Sequence, residues 1–157
     1  MEDGQPIEER GIELTQMITF RLSRLQARVN AQAARILKET AGISLSQWRI
    51  FVMIESYGET APADFVRRTG FDKGQVSRTV SGMIADGLVT SRPSESDQRS
   101  HLIDFSAKGF ALFERARPAM RARQARLTGC LSDEERRVIY TAFDKLEKTM
   151  EEMERGA

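Results

Sequence analysis

The sequence is poor in the residues that build disulfide frameworks and metal sites. It holds one cysteine, Cys130, and one histidine, His101, among 157 residues. A single thiol cannot close an internal disulfide, and no Cys/His set has the spacing of metal ligands. A glycine-rich phosphate loop and a nucleophile elbow are also missing from the sequence, so we expect no metal site and no catalytic residues.

Long apolar runs and an excess of charge of one sign are missing too. No apolar run approaches the roughly 20 residues that a membrane span requires. Lys and Arg number 24 against 23 Asp and Glu, so any nucleic-acid surface must come from the local placement of charges. Residues 1–4 are acidic and no apolar segment follows them. We therefore expect no signal peptide, a cytoplasmic location and a single domain over residues 1–157.

The first part of the chain has the apolar spacing of a long helix. Residues 10–39 repeat apolar side chains at steps of three and four, beginning with Ile18 and Leu22, and Gly42 follows as a possible C-cap. A neighbouring stripe of this helix is basic: Arg21, Arg24, Arg28 and Arg35. This stripe is typical of a solvated face, but it could also face an anionic partner or a second subunit.

The middle of the chain contains the signals of a helix-turn-helix. Ser44 with Gln47 is a capping-box pattern, and Thr60 could cap a short third helix with Pro62 in its first turn. Asp72, with a glutamine three residues later, marks the start of a fourth helix. Two short helices over 61–69 and 73–86 are therefore predicted, joined by a tight turn that contains glycine.

A β-hairpin is predicted directly after these helices. Residues 88–92 and 101–105 are rich in β-branched and large side chains, and the polar segment 93–99 separates them. Helices followed by a hairpin predict a winged helix-turn-helix over residues 43–106. The fold class is therefore mainly α with a small β-hairpin wing.

The fourth helix should bury Val76, Val80, Met83 and Ile84 and leave a polar face outside. The residues on that outer face are Lys73, Gln75, Ser77, Arg78 and Ser81. Gln can bond adenine in two places, Arg can bind guanine, and Ser and Lys can hold phosphate. The face fits a DNA major groove, although a polar exterior is also normal for any amphipathic helix, and some winged helices bind proteins instead.

The hairpin adds three further candidates for DNA binding: Arg92, Asp97 and Arg99. Asp97 lies two residues before Arg99 and could brace its guanidinium for insertion into a narrow minor groove. The alternative is an exposed ion pair that contributes little, between 0 and about 1 kcal/mol.

The end of the chain predicts two further helices and a dimer seam. Ser106 should cap a fifth helix, which contains Pro118, and Ser132 should cap a sixth. Apolar residues of the sixth helix then repeat at steps of four and three: Ile139, Phe143, Leu146, Met150 and Met153. This stripe could pack on the first helix of the same chain, but its length favours burial between two subunits.

In order and spacing, these motifs resemble the MarR family of winged helix-turn-helix transcriptional regulators, over roughly residues 10–155. The segments that carry the resemblance are Ile43-Ser44, Gln47-Trp48-Arg49, Asp72-Lys73-Gly74-Gln75-Val76-Ser77-Arg78, Gly87-Leu88-Val89, Asp97-Gln98-Arg99 and Ser106-Ala107-Lys108-Gly109. The sequence departs from the family at Phe105-Ser106, where Leu-Thr is usual. The change is conservative, because Ser can still cap a helix and Phe can still fill a core.

The resemblance implies a homodimeric regulator that acts as a repressor on a near-palindromic double-stranded DNA operator. By this resemblance, residues 72–86 would lie in the major groove and Arg99 in the minor groove. The helices over residues 10–40 and 107–155 would form the dimer, with Ile18 and Leu22 among the contacts. The resemblance implies no cofactor.

The resemblance also suggests a small aromatic or phenolic acid effector, for which the sequence assigns no residues. Trp48, Phe51 and Phe113 could line an effector cavity but fit plain core better. Cys130 fits an inert thiol better than an oxidant sensor. A winged helix that binds protein and not DNA is the remaining alternative.

Overall fold

The computed structural model describes residues 13–94 and 100–156. Its contacts divide the chain into two compact units, residues 1–116 and 117–157, and each is described by itself. Within the described ranges, no helix combines the length and the apolar character needed to cross a membrane.

Six helices and one hairpin make up the described regular structure, apart from a short 3-10 turn at Leu14–Gln16. The helices are α1 Ile18–Ala41, α2 Leu45–Tyr57, α3 Pro62–Thr69, α4 Lys73–Ala85, α5 Ala107–Gly129 and α6 Asp133–Arg155. Strands β1, Val89–Pro93, and β2, His101–Phe105, pair antiparallel, with Val89 opposite Phe105 and Pro93 opposite His101. The predicted fold class, mainly α with a hairpin wing, is confirmed.

The first helix is shorter than predicted at its N-terminal end. Residues 10–12 lie outside the described part of the chain, and α1 begins only at Ile18. Met17 precedes it in an extended conformation with no side-chain cap, and residues 13–17 bury no side chain that could stabilise an earlier turn. The other end is as predicted, because Gly42 adopts the left-handed conformation of a C-cap.

Cap signals located four of the helix starts. The side chains of Ser44, Asp72, Ser106 and Ser132 each accept a hydrogen bond from the backbone N–H three residues later. At Ser132 the reciprocal hydrogen bonds with Glu135 form a full capping box, and the backbone N–H of Ser132 lowers the pKa of the Glu135 carboxyl.

The predicted cap at Thr60 is wrong. Ala61 is the N-cap of α3, and Thr60 forms an isolated β-bridge with Ile103 of β2. The Thr60 N–H donates to the Ile103 carbonyl at 3.1 Å, and the Ile103 N–H donates back at 2.9 Å. Thr60 is buried, and its backbone pairs with the hairpin. It lies one residue before the N-cap position, so it does not cap the helix.

The core of the first unit joins α1, α2, α4 and the hairpin. Its largest fully buried side chains are Phe51, Leu37, Met83 and Ile103. Trp48 stacks on Phe113 at a centroid distance of 5.0 Å, and Phe51 stacks on Phe105 at 5.1 Å. These rings hold α2, β2 and the start of α5 together by dispersion and apolar burial.

The start of α5 is bound to the turn that follows α4. The Ser106 hydroxyl donates to the Gly87 carbonyl at 2.6 Å, and the Lys108 ammonium donates to the Asp86 carbonyl at 2.8 Å. Gly109 lies so close to the backbone of this turn that an added Cβ would be 1.8 Å from the Leu88 carbonyl oxygen. A glycine is therefore required at position 109 for α5 to reach this turn.

The second unit contains the end of α5 and all of α6. Arg136 donates to the Thr128 carbonyl at 3.1 Å and so ties the first turn of α6 to the end of α5. All five residues of the predicted seam, Ile139, Phe143, Leu146, Met150 and Met153, are between 37% and 64% exposed in the single chain. The apolar face of α6 therefore remains uncovered in one copy.

Candidate nucleic-acid interface

Helix α4 is held in place by the turn that precedes it. α3 ends at Gly70, whose left-handed φ of 66° lets the chain reverse within three residues. Phe71 in this turn packs on Phe65 of α3 at a centroid distance of 5.5 Å. The Asp72 carboxylate then accepts from the Gln75 N–H at 2.7 Å and fixes the first turn of α4.

One face of α4 packs inward and the opposite face is open. Val76, Val80 and Met83 are buried, as predicted. Ile84, also predicted to be inward, is instead 42% exposed. The buried residues follow steps of four and three, and Ile84 lies about 100° around the helix from Met83, at the edge of that stripe.

The predicted outer-face residues all reach solvent. Lys73, Gln75, Ser77, Arg78 and Ser81 are exposed. The sequence of α4, residues 73–85, contains no acid, and Asp72 and Asp86 stand at its two caps. The face therefore presents two cations, an amide and two hydroxyls without an opposing carboxylate in its middle.

Gly74 leaves the space in which the Arg78 side chain lies. A Cβ added at residue 74 would be 3.2 Å from Arg78 Nη1 and 3.2 Å from Asp72 Oδ1. The guanidinium thus lies along the helix surface toward its N-terminal end. A flat, charged group in that position can reach a base edge or a phosphate at the start of the helix.

The wing holds Arg92 in an arrangement that the sequence did not indicate. Arg92 Nε donates to Glu59 Oε1 at 2.6 Å, and Nη2 donates to the other oxygen of the same carboxylate. Glu59 lies 33 residues earlier in the chain, just before the Thr60 bridge to β2. The pair therefore attaches β1 to the loop between α2 and α3. Asp97 and Arg99 lie outside the described residues.

Arg49 is a second residue whose position the sequence did not reveal. Its guanidinium Nη2 donates to Asn30 Oδ1 of α1 at 2.9 Å, and its Cζ lies 4.6 Å from the centre of the Phe71 ring. Arg49 stands in the apolar helix α2. Its charge inside this helix and its place in the Gln47-Trp48-Arg49 segment mark the position, but neither indicates Asn30 or Phe71 as a partner.

Comparison with known sequences finds relatives among transcriptional regulators. A sequence profile described as the MarR family matches residues 41–100. The HTH-type transcriptional regulator BilQ of Clostridium symbiosum is 26% identical over 110 residues, which span 70% of this chain and 76% of BilQ. The profile match runs from the last residue of α1 through the helix-turn-helix and β1, and it ends just before β2.

Solved structures share the fold at low sequence identity. A MarR/EmrR family regulator from Acinetobacter sp. ADP1 superposes with a TM-score of 0.81 at 20% identity, covering 90% of this chain and 99% of its own. A mutant MarR of E. coli in complex with operator DNA gives 0.65 at 22% identity, with coverages of 80% and 93%. The organohalide-sensing regulator RdhR with bound 2,4-dichlorophenol gives 0.74 at 21% identity, with coverages of 95% and 88%. At such identities the likeness establishes the winged-helix fold.

Proposed function

We propose that this chain, whose residues 41–100 match the MarR family profile, is a transcriptional regulator that binds a specific double-stranded DNA sequence. The observation that carries the proposal is the exposed outer face of α4, which has cations and hydrogen-bonding groups and no acid. α4 serves as the recognition helix, a name kept below. The proposal assigns no catalytic step, and a DNA partner is consistent with a cytoplasmic location.

In this proposal, the recognition helix reads the major groove with side chains of different roles. Gln75 and Arg78 are suited to base edges, since an amide can bond adenine and a guanidinium can bond guanine, each through two hydrogen bonds. Lys73, Ser77 and Ser81 are suited to phosphate or base contacts. At the wing, Arg99 would enter the minor groove with Asp97 as its brace, and Arg92 would act near the backbone, where Glu59 already holds it.

Two copies of the chain would bind one operator. The seam on α6 is exposed in the single chain, as are Ile18 and Leu22 of α1, and a second copy is the partner that would cover them. A two-fold dimer presents its recognition helices to successive major grooves about 34 Å apart, so the operator would be near-palindromic. Binding over a promoter would repress transcription.

A small aromatic or phenolic acid is the effector class that we propose. RdhR, one of the structural neighbours, binds 2,4-dichlorophenol. The aromatic cluster of Trp48, Phe51 and Phe113 packs as core in this chain, and we assign no residue to an effector site.

Fluorescence anisotropy with the DNA upstream of the protein's own gene tests the proposal. We expect tight binding that weakens steeply with salt and exceeds binding to an unrelated duplex by at least about 1,000-fold. Equal weak binding to both duplexes, or no binding at low salt, would reject specific DNA recognition in favour of a protein-binding winged helix.

The same assay tests the role of Arg78. Arg78→Ala should cost about 1–3 kcal/mol of affinity for the cognate site if the guanidinium binds a base. The control is Lys148→Ala, which removes an exposed cation from the face of α6 opposite the seam and should change affinity far less. Equal effects of the two variants would mean that Arg78 contributes only general charge.

A further inference from the structure

Arg49 connects two parts of the first unit that are distant in the sequence. Asn30, which accepts its hydrogen bond, lies in the middle of α1, and Phe71, whose ring it faces, lies in the turn before the recognition helix. Its own backbone is in the first half of α2. The guanidinium therefore bridges α1 and the residue that leads into the recognition helix.

The cavity beside this guanidinium is small and partly open to solvent. Its volume is about 10 Å³, room for one water at most, and Arg49 itself is half-buried. Ile50 and Val76 line this cavity on its apolar side, and Gln75 of the recognition helix lines it as well. Burial lowers the pKa of Arg49 from its ordinary value, but a guanidinium remains charged at neutral pH.

The two contacts of Arg49 depend on the shape of its side chain. A guanidinium is flat, so it can lie over an aromatic ring and at the same time donate hydrogen bonds in its own plane. A lysine at this position would keep the charge, but its ammonium is a compact and strongly hydrated point charge. Arg49→Lys therefore keeps the positive charge but removes the flat group that makes both contacts.

We propose that Arg49 is a positioning residue that fixes the first turn of the recognition helix relative to α1. Gln75, one of the residues proposed to read bases, belongs to that turn. The consequence for DNA rests on the proposed function: if α1 takes part in the dimer, Arg49 also helps to fix the distance between the two recognition helices. The bridge would then make the protein selective for the spacing of two half-sites.

Hydrogen–deuterium exchange of the full-length protein, without DNA, tests the positioning itself. In Arg49→Lys, peptides over residues 71–79 should exchange about five-fold faster or more, while peptides of α6 keep their rates. Asn30→Ala, which removes only the α1 end of the bridge, should give a smaller change in the same peptides. The matched control is Arg68→Lys, because Arg68 also faces a ring, with its Cζ 4.3 Å from the Tyr57 centroid.

The exchange data decide the inference in either direction. Unchanged rates over 71–79 in both Arg49→Lys and Asn30→Ala would overturn it, and so would a uniform rise over the whole chain, since that indicates general destabilisation. A rise confined to 71–79 supports it. If Arg49→Lys does not fold, Asn30→Ala alone is compared with Arg68→Lys by the same criterion.

DNA binding then tests the consequence. Operators whose half-sites are moved apart by one base pair should bind the wild type at least about ten-fold more weakly, whereas Arg49→Lys should discriminate less between the two spacings. An equal spacing penalty in both proteins would overturn the role in spacing. A wild type that binds no operator would refute the proposed function, and the exchange result would still decide the positioning.

Discussion

The winged helix and helix α6 differ in how far their apolar side chains are buried within one chain. In the first unit, Phe51, Leu37, Met83 and Ile103 are each less than 2% exposed within one chain. In α6, no residue is buried, and the regularly spaced seam is 37–64% exposed. The winged helix therefore completes its core alone, whereas α6 presents a finished apolar face that still requires a second surface.

The difference shows that helix formation and burial are separate requirements. α6 begins with a capping box at Ser132, has three acids in its first turn and one arginine in its last. These features favour a helix through local interactions alone. The short helix α3 also has an acid in its first turn and arginines in its last, but it has no side-chain cap, and its eight residues are too few to be stable without the packing of the buried Phe65. The two regions should consequently fail in different ways when mutated.

The largest effect is expected from Gly109→Ala, which attacks the self-contained core. The added Cβ would lie 1.8 Å from a backbone oxygen of Leu88 and 3.1 Å from the Phe51 ring, and backbone cannot move away cheaply. We expect a loss of about 3 kcal/mol in the free energy of unfolding, at the upper end of overpacking costs. Urea denaturation followed by Trp48 fluorescence measures this loss.

Gly129→Ala is the matched control for this prediction. An added Cβ at residue 129 meets no atom within 4 Å, so its stability should stay the same or rise by up to about 1 kcal/mol. If the two variants were equally stable, the close approach of α5 to the α4–β1 turn would not be present in solution.

The next largest effect is expected from Leu146→Asp, which attacks the exposed seam. A carboxylate in an apolar subunit interface is costly to desolvate, so self-association should weaken at least about 100-fold. The helical content of the variant should be kept, because Leu146 is not part of a core within one chain. Sedimentation velocity and circular dichroism measure the two quantities on the same sample.

Thr141→Asp, on the face of α6 opposite the seam, is its control and should remain dimeric. A Leu146→Asp variant that still sediments as a dimer would show that the seam does not form the interface. A variant that loses its helical content would show that the seam is covered within one chain.

The smallest effect is expected from Glu59→Gln, which removes the ion pair that attaches the wing. Arg92 and Glu59 are 49% and 28% exposed, so solvent screens the pair, and its loss should cost at most about 1 kcal/mol of stability. Thermal unfolding measures this cost. Asp64→Asn, which removes the local pair with Arg67, is the control for loss of one surface carboxylate.

The Glu59→Gln variant also distinguishes two ways of holding the hairpin. A loss well above 1 kcal/mol would mean that the wing depends on this surface pair. A loss no larger than that of Asp64→Asn would mean that the buried Ile103 and the Thr60 bridge hold the hairpin without it.

Local signals in the sequence were sufficient for most of the architecture. Caps at Ser44, Asp72 and Ser132 act within three residues, and Gly42 and Gly70 act through their own backbone angles. Such features are readable because cause and effect lie within one turn of helix. The outer face of the recognition helix was readable in the same way, as the complement of its buried stripe.

The Thr60 error and the two missed contacts involve residues distant in sequence, whereas the start of α1 and the exposure of Ile84 were misjudged within a single helix. Thr60 looked like a cap but pairs with Ile103, and Arg92 binds a carboxylate 33 residues away. Arg49 reaches Asn30 across 19 residues. No local pattern encodes these partners, because each contact exists only after α1, α2 and the hairpin have packed against one another.

By itself, the sequence determined most of the helix ends, that a hairpin follows the recognition helix, and which face of α6 is apolar. Local hydrogen bonds and the period of apolar residues govern all three. Only the tertiary structure decided that position 109 must be glycine, that Glu59 holds Arg92, and that Arg49 bridges Asn30 and Phe71. These depend on distances between segments that meet only in the folded chain, where a shift of one ångström separates a contact from a clash.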